Sequence, residues 1–197
     1  MQPESGRTAR AFHAKNDPAE VRREVFRLLP SLGVKVQAVV RRKRELVSVA
    51  RHLHSKGQRL TANDVYDDMV KRLFRNLLHK ADENRICFAW RGKSDRSEAL
   101  TQAIRRAQRN FERKWRISSD KPTLIRSMYP WEDEGLQVVD YFLWALQRLY
   151  ERHEDRFFEL LRPSFRLVMD LDDKRNHEYG EWYSDANPLD LRKMETF

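Results

Sequence analysis

The sequence predicts an α/β fold in which the sheet is at least partly parallel. Short runs rich in β-branched and apolar residues, such as 34–40 and 85–91, have the length and composition of strands. They alternate with longer stretches in which apolar residues recur every three or four positions, as they do along one face of a helix. Strands alternating with helices of ten to twenty residues are typical of α/β domains.

The chain is predicted to form one domain over residues 12–197, preceded by a polar, aperiodic tail over residues 1–11. Its 197 residues are 40% hydrophobic, which is enough to bury a core. The first helix is expected to begin at Asp17, with Asp17 as N-cap, Pro18 as first residue and Glu20 completing a capping box. Pro30 and Gly33 end this helix.

The next elements follow from the same two periodicities. A strand over 34–40 leads into the basic cluster Arg41–Arg44, and a long helix is predicted from Thr61 to Lys80. A buried strand over 85–91 is followed by a helix that Ser94 or Asp95 caps. That helix is expected to direct five residues to the core: Leu100, Ile104, Ala107, Phe111 and Trp115.

The later elements are a short strand over 122–127, a helix over 155–161 and a strand over 165–173. Between the first two of these lies the most apolar helix of the chain, in which every residue from Val138 to Leu146 except Asp140 is apolar or aromatic. We expect it to be buried on most of its faces. A carboxylate in such a helix needs a cation, a hydrogen-bond donor or a metal, because an unpaired buried charge is very unfavourable.

The charge balance favours a polyanionic partner, most simply nucleic acid. The chain has 39 Lys and Arg against 30 Asp and Glu, a formal net charge of +9. The alternative is a surface that is rich in arginine only for solubility. The predicted phosphate contacts are two basic groups: Arg41, Arg42 and Lys43, and Arg105, Arg109 and Arg113.

Several functional classes are disfavoured. Cys87 is the only cysteine, which excludes an internal disulfide and a thiolate-rich zinc site. The chain has neither a glycine-rich phosphate loop nor a serine-elbow motif. It also has no apolar leader and no run long enough to cross a bilayer, so a cytoplasmic protein without membrane contact is expected.

Asp95 and Asp140 are the main candidate pair for chemistry. If 86–90 is a central strand, Asp95 lies just beyond its carboxyl end, where α/β sheets usually bind ligands. Two carboxylates there would suit Mg²⁺ or Mn²⁺, which prefer oxygen ligands and can activate water against a phosphodiester. The alternatives are a helix cap for Asp95 and a structural ion pair with Lys or Arg for Asp140.

His13 and Asp17 are a further candidate, because His13 precedes a predicted helix N-terminus where anions and catalytic groups often gather. The alternatives are that Asp17 is only an N-cap and that His13 is an ordinary surface residue. Three carboxylates near the end of the chain, Asp170, Asp172 and Asp173, are interpreted as a solvated acidic turn and not as a metal site.

Several blocks of the chain resemble a bacterial family called domain of unknown function 3800. The resemblance covers about residues 11 to 190, and its most specific element is the Leu-Gln-x-x-Asp helix that contains Gln137 and Asp140. The blocks that carry it are Phe12–Asp17, Ser94–Arg96, Gly135–Arg148 and Tyr179–Leu189.

The resemblance implies a ribonuclease H-like fold, with a mixed sheet flanked by helices and divalent metal held by acidic residues. By position, Asp95 and Asp140 match two of the family's acidic residues and His13 matches its histidine. The family's opening Asp-Glu-Ser-Gly strand has only Pro3-Glu4-Ser5-Gly6 as a counterpart here. The first strands are therefore expected to be missing, which would leave a sheet edge exposed to homo-oligomer formation.

Two hypotheses follow from the sequence. The first is a metal-dependent nuclease acting on nucleic acid, with His13, Asp95 and Asp140 at its site, whose activity is lost if the first strand is missing. The second is a non-catalytic module that binds nucleic acid or protein, in which Asp140 makes a structural ion pair.

Overall fold

The computed structural model of the protein describes residues 11–90 and 96–194. Within these residues the chain forms six α-helices and five β-strands. The helices are α1 (Ala19–Leu28), α2 (Lys43–Ser55), α3 (Ala62–Phe74), α4 (Ser97–Trp115), α5 (Glu134–Arg152) and α6 (Arg156–Leu161). The strands are β1 (Val36–Val40), β2 (Asn84–Ala89), β3 (Thr123–Met128), β4 (Phe165–Asp170) and β5 (Glu181–Tyr183).

The α/β fold class is confirmed. The described strands form a three-stranded sheet in the order β1-β4-β5 and a two-stranded sheet that pairs β2 with β3. In this arrangement β2 has one neighbouring strand, so it is not the central strand on which the position of Asp95 was predicted. The ribonuclease H-like arrangement stays a prediction.

The described chain divides into two compact units, each built from separate stretches of sequence. Unit 1 takes in the described residues of Met1–Val36, Met128–Leu167 and Tyr183–Phe197. Unit 2 takes in those of Gln37–Ser127 and Val168–Trp182. The single domain predicted over 12–197 stays a prediction.

The core of unit 1 is largely aromatic and forms around α5. Tyr141, Phe142 and Leu149 are fully buried on one side of this helix, and α6 packs against it. Phe26 of α1 lies edge-on to Tyr141, with 5.3 Å between the ring centroids. Edge-to-face aromatic pairs add to the stabilisation that burial of their area already provides.

The core of unit 2 forms where α3 packs against α4. Leu100, Ile104 and Ala107 recur at steps of three and four along α4, and all are buried as predicted. Val70 of α3 and Phe88 of β2 belong to the same cluster. The 3.6-residue period of an α-helix brings these positions to one face, which explains why the pattern predicted them correctly.

Three details of the predicted helices are wrong. α1 begins at Ala19 with Pro18 at the N-cap position, and α3 ends at Phe74 rather than Lys80. Trp115 is 51% exposed because it is the last residue of α4 and extends past the buried cluster.

α5 is also less buried than its composition suggested. Val139 and Leu143 are 50% and 54% exposed, so this side of the helix faces solvent although it is apolar. The helix buries only the stripe that begins at Tyr141 and Phe142. Within the described residues, no helix combines the length and the apolar character that crossing a membrane requires.

Candidate functional site

In unit 1 a turn over residues 12–17 is attached to the first half of α5. The amide nitrogens of Asn16 and Asp17 both donate to the carbonyl of His13 at 2.9 Å, which closes the turn. Gln137 of α5 accepts a hydrogen bond from the amide of Phe12 at 2.9 Å. Its side-chain nitrogen donates to the carbonyl of Pro130 at 2.8 Å. The Gln137 side chain therefore joins two loop segments to one helix.

Asp140, one turn further along α5, binds the same turn. Its Oδ2 accepts a hydrogen bond from the amide of Ala14 at 2.8 Å and lies 3.2 Å from Nδ1 of His13. The side chains of His13 and Asp140 are 49% and 38% exposed. The partners of this carboxylate are therefore a histidine and the backbone N–H of the buried Ala14, and the side chains of His13 and Asp140 are accessible to a solute.

Asp17 is not the N-cap of α1, which has no side-chain cap hydrogen bond. Its carboxylate is buried and accepts hydrogen bonds from the amide of His13 at 2.9 Å and from the hydroxyl of Tyr141 at 2.5 Å. Burial, reinforced by the hydrogen bond to Asp17, raises the pKa of Tyr141 well above its ordinary value. The phenol therefore stays protonated and remains a donor.

Arg22 is a structural residue of this site that the sequence did not reveal. Its guanidinium donates to the carbonyl oxygens of Ala14 and Asp17, both at 2.7 Å. It also lies 4.8 Å from the ring centroid of Trp144. The only sequence signal was its position one turn into α1, where its side chain reaches back over the N-terminal end of the helix.

The His13–Asp140 pair sets a carboxylate oxygen 3.2 Å from Nδ1 of an imidazole, the combination of groups found in general bases. A carboxylate that accepts from Nδ1 favours the tautomer whose lone pair is on Nε2. Such a pair can accept a proton from a bound nucleophile, and the carboxylate then stabilises the imidazolium that forms.

The predicted metal pair is only half described, because Asp95 lies outside the described residues. Among residues 11–90 and 96–194, no group of three or more His, Cys, Asp or Glu side chains is placed to hold a metal ion. The metal-binding roles of Asp95 and Asp140 therefore stay predictions.

The three residues of the first basic group, Arg41, Arg42 and Lys43, have different surroundings in the structure. Arg41 pairs with Asp172 through Nε at 3.0 Å, and Arg42 pairs with Asp170 through Nη2 at 2.7 Å. Both arginine side chains are largely buried, whereas Lys43 is exposed at the start of α2. The ion pairs give Arg41 and Arg42 a structural role in unit 2.

The interpretation of Asp170, Asp172 and Asp173 as a solvated turn is wrong. The side chains of Asp170 and Asp173 are fully buried, and Asp172 is nearly so. Oδ1 of Asp170 accepts hydrogen bonds from the amides of Asp172 and Asp173, both at 3.1 Å. A buried carboxylate requires hydrogen-bond donors and a cation, and Arg41, Arg42 and Arg175 supply the cations.

The second basic group lies on the exposed side of α4. Arg105, Arg109 and Arg113 are all exposed, and Arg113 donates to the side-chain oxygen of Asn110 at 2.9 Å. Arg105 and Arg109 line a groove of about 700 Å³ together with Arg116. Sequence reasoning missed Arg116 because it follows the last helical residue, where a left-handed backbone (φ 58°) ends α4.

Comparison with known proteins gives no match: no family model, no curated protein and no solved structure is similar to this chain.

Proposed function

We propose that this protein binds nucleic acid and that unit 2 contacts the phosphate backbone. The observation that carries the proposal is the distribution of charge. The stretches of unit 2 contain 25 Lys and Arg against 15 Asp and Glu, a net charge of +10. Those of unit 1 contain 14 against 15, a net charge of −1. A positive charge confined to one part of a chain is expected of a surface for a polyanion.

The groove on α4 is the most favourable phosphate site within unit 2. Arg105, Arg109 and Arg116 are exposed in it, and none of them forms an ion pair with a described carboxylate. Glu112 and Asp120 also line the groove, so the three arginines leave it a net charge of +1, and Glu112 accepts a hydrogen bond from the amide of Ser119 at 2.9 Å. Three guanidinium groups without acidic partners can bind phosphate without first breaking an ion pair.

The test is a binding titration with fluorescein-labelled DNA and RNA at salt concentrations from about 50 to 200 mM. The variant Arg105→Ala/Arg109→Ala/Arg116→Ala should bind more weakly, and its plot of log K against log salt should be shallower by up to about 3. The control is Arg23→Ala/Arg27→Ala/Arg152→Ala, which removes the same charge from exposed sites of unit 1.

Two results would contradict the proposal. One is a wild-type protein that shows no salt-dependent binding to any of the nucleic acids. The other is an equal loss of affinity in the two triple variants, because unit 2 would then have no special role.

A second candidate function, phosphodiester hydrolysis, is favoured by the His13–Asp140 pair. We propose that Nε2 of His13 accepts a proton from the water that attacks phosphorus, while Asp140 stabilises the imidazolium. The bond from phosphorus to the leaving ribose oxygen then breaks, and that oxygen takes a proton from solvent. General-base catalysis of this type contributes about 10² to 10⁴-fold.

The divalent metal implied by the family resemblance does not fit the described residues alone. Mg²⁺ and Mn²⁺ take several oxygen ligands, whereas the described site supplies one carboxylate, Asp140, whose Oδ2 is already engaged with His13 and Ala14. A metal site would depend on Asp95, so no step of the proposed mechanism uses a metal.

The hydrolysis test compares cleavage of labelled single- and double-stranded RNA and DNA in Mn²⁺, in Mg²⁺ and in a chelator. His13→Ala should abolish cleavage, and the control His177→Ala, also at an exposed histidine, should not change it. Cleavage that requires metal and Asp140 but not His13 would replace the general-base mechanism with the metal-dependent one. Absence of cleavage under every condition would exclude this candidate.

A further inference from the structure

α2 differs from α3 and α4, the other α-helices of unit 2, in that none of its residues is buried. Leu46, Ala50 and Leu53 recur at steps of four and three and are half-buried, so they form the inner side of the helix. The other ten residues of the helix are exposed. An isolated helix of 13 residues is only marginally stable in water, so half-burial of a single stripe is weak support for α2.

One exposed face of α2 is basic. This outer face consists of residues that fall within about 100° of one another around the helix axis, beside the half-buried stripe. They are Lys43, Arg44, Val47, Arg51 and His54, and all are exposed. The acidic residue Glu45 lies on a different side of the helix. None of the three Lys and Arg residues forms an ion pair with a described carboxylate, in contrast to Arg41 and Arg42 just before the helix.

The position of these charges is unfavourable for the helix itself. Lys43 and Arg44 occupy the first turn of α2, where the helix dipole is positive and acidic residues are preferred, and Glu45 is the one acidic residue of that turn. Arg42 at the N-cap position makes no side-chain cap hydrogen bond. An anion placed against this turn would reverse both effects, because it would pair with the cations and accept from the free amide groups.

We propose that α2 binds in the major groove of duplex DNA through its outer face. This inference rests on the proposed function and identifies the nucleic acid and the element that recognises it. The major groove is about 12 Å wide and admits an α-helix, whereas the deep, narrow major groove of duplex RNA does not. A 13-residue helix is about 20 Å long, so it spans roughly half a turn of the duplex.

In this arrangement the two ends of the outer face contact different parts of the DNA. Lys43 and Arg44, at the N-terminal end, contact phosphates at the edge of the groove. Arg51 lies two turns further along, where its guanidinium reaches base edges. The small Val47 between them allows the helix to approach the bases closely.

An anionic membrane is the other surface that a basic helix can bind, and the outer face of α2 does not suit it. Interfacial helices insert a broad apolar face with large side chains such as Trp, Phe and Leu. Here Val47 is the single apolar residue among the five of the outer face, and the leucines lie on the half-buried inner side.

The test measures binding of the full chain to duplex DNA, to duplex RNA of the same sequence and to single-stranded DNA. Lys43→Ala/Arg44→Ala/Arg51→Ala should lower affinity for duplex DNA at least tenfold near 100 mM salt and reduce the salt slope by about 2 to 3. Affinity for duplex RNA should be unchanged. Alanine is the best helix former, so the variant keeps α2, which circular dichroism can verify.

The result distinguishes this inference from the function on which it rests. If the α2 variant binds duplex DNA like the wild type while the Arg105/Arg109/Arg116 variant does not, the inference on α2 is wrong and nucleic-acid binding stands. If the wild type binds no nucleic acid, both are wrong. Binding of the wild type to vesicles of phosphatidylserine and phosphatidylcholine that is lost in the α2 variant, without any effect on DNA, would assign α2 to membranes.

Discussion

The hydrogen bond between Tyr141 and Asp17 should be one of the strongest single contributions to the stability of unit 1. Tyr141→Phe keeps the ring packed against Phe26 but leaves Oδ2 of the buried Asp17 carboxylate with the amide of His13 as its remaining donor. Hydrogen bonds to charged groups contribute about 1.5 to 3 kcal/mol. For a chain of this length, that loss corresponds to a decrease in Tm of roughly 3 to 12 °C.

The assay is urea unfolding at pH 7, followed by circular dichroism, for the wild type, Tyr141→Phe and the control Tyr179→Phe. Tyr179 is highly exposed, so removal of its hydroxyl should change the free energy of unfolding by less than about 0.5 kcal/mol. Equal, small effects of the two substitutions would refute the reasoning, because the hydroxyl of Tyr141 would then stabilise the protein no more than the solvent-exposed hydroxyl of Tyr179.

The same contact predicts a pH dependence in the alkaline range. Burial, together with the hydrogen bond to Asp17, raises the pKa of Tyr141, whereas an unfolded tyrosine titrates near pH 10. The folded state therefore retains a proton that the unfolded state loses, so this contribution is complete below about pH 10 and declines as the pH rises further. Tyr141→Phe should remove that part of the alkaline loss of stability, and an unchanged pH profile would contradict the assignment.

Three further substitutions test the structure by urea unfolding. Gly180→Ala should lower the free energy of unfolding by at least about 2 kcal/mol, because Gly180 has φ +100° and an added Cβ would clash with the carbonyl oxygen of Asp170. A neutral effect would contradict this backbone. Asp170→Asn removes the charge that faces Arg42 and should lower the free energy of unfolding by about 3 to 5 kcal/mol. A loss below about 1 kcal/mol would show that this ion pair is not buried. Thr61→Ala removes the side chain that accepts from the amide of Asp64 in the capping box of α3, and should lower the free energy of unfolding by about 1 kcal/mol. No change would indicate that α3 does not begin at Thr61.

Periodicity predicted which positions within one helix are buried. It failed where a residue's environment depends on residues distant in sequence. The buried positions of α4 from Leu100 to Phe111 follow from a period of 3.6, but Trp115 continues that period past the end of the packed surface. Asp17 before Pro18 has the sequence of a helix cap. Its carboxylate is used instead by a tyrosine 124 residues away, and no local pattern carries that information.

In the candidate site, too, the sequence predicted local features but not the contacts between distant segments. The sequence predicted a partner for Asp140 because its neighbours are apolar, and the structure has one, but the carboxylate is 38% exposed and was wrongly expected to be buried. Its identity depends on how the turn over residues 12–17 meets α5, more than 120 residues later in the chain. The basic groups were recognised by composition, yet only the structure separates the ion-paired Arg41 and Arg42 from the exposed Lys43.

The interleaving of the two units constrains when each can form during synthesis on the ribosome. Unit 1 needs the segment that begins at Tyr183, and unit 2 needs the segment from Val168 to Trp182. Neither unit can therefore complete its contacts until translation has passed residue 167 and the last segments have left the exit tunnel. Until then each unit lacks its last segment, which contains buried residues such as Val168 and Tyr183, and we expect the nascent chain to be a substrate for chaperones that bind exposed apolar segments.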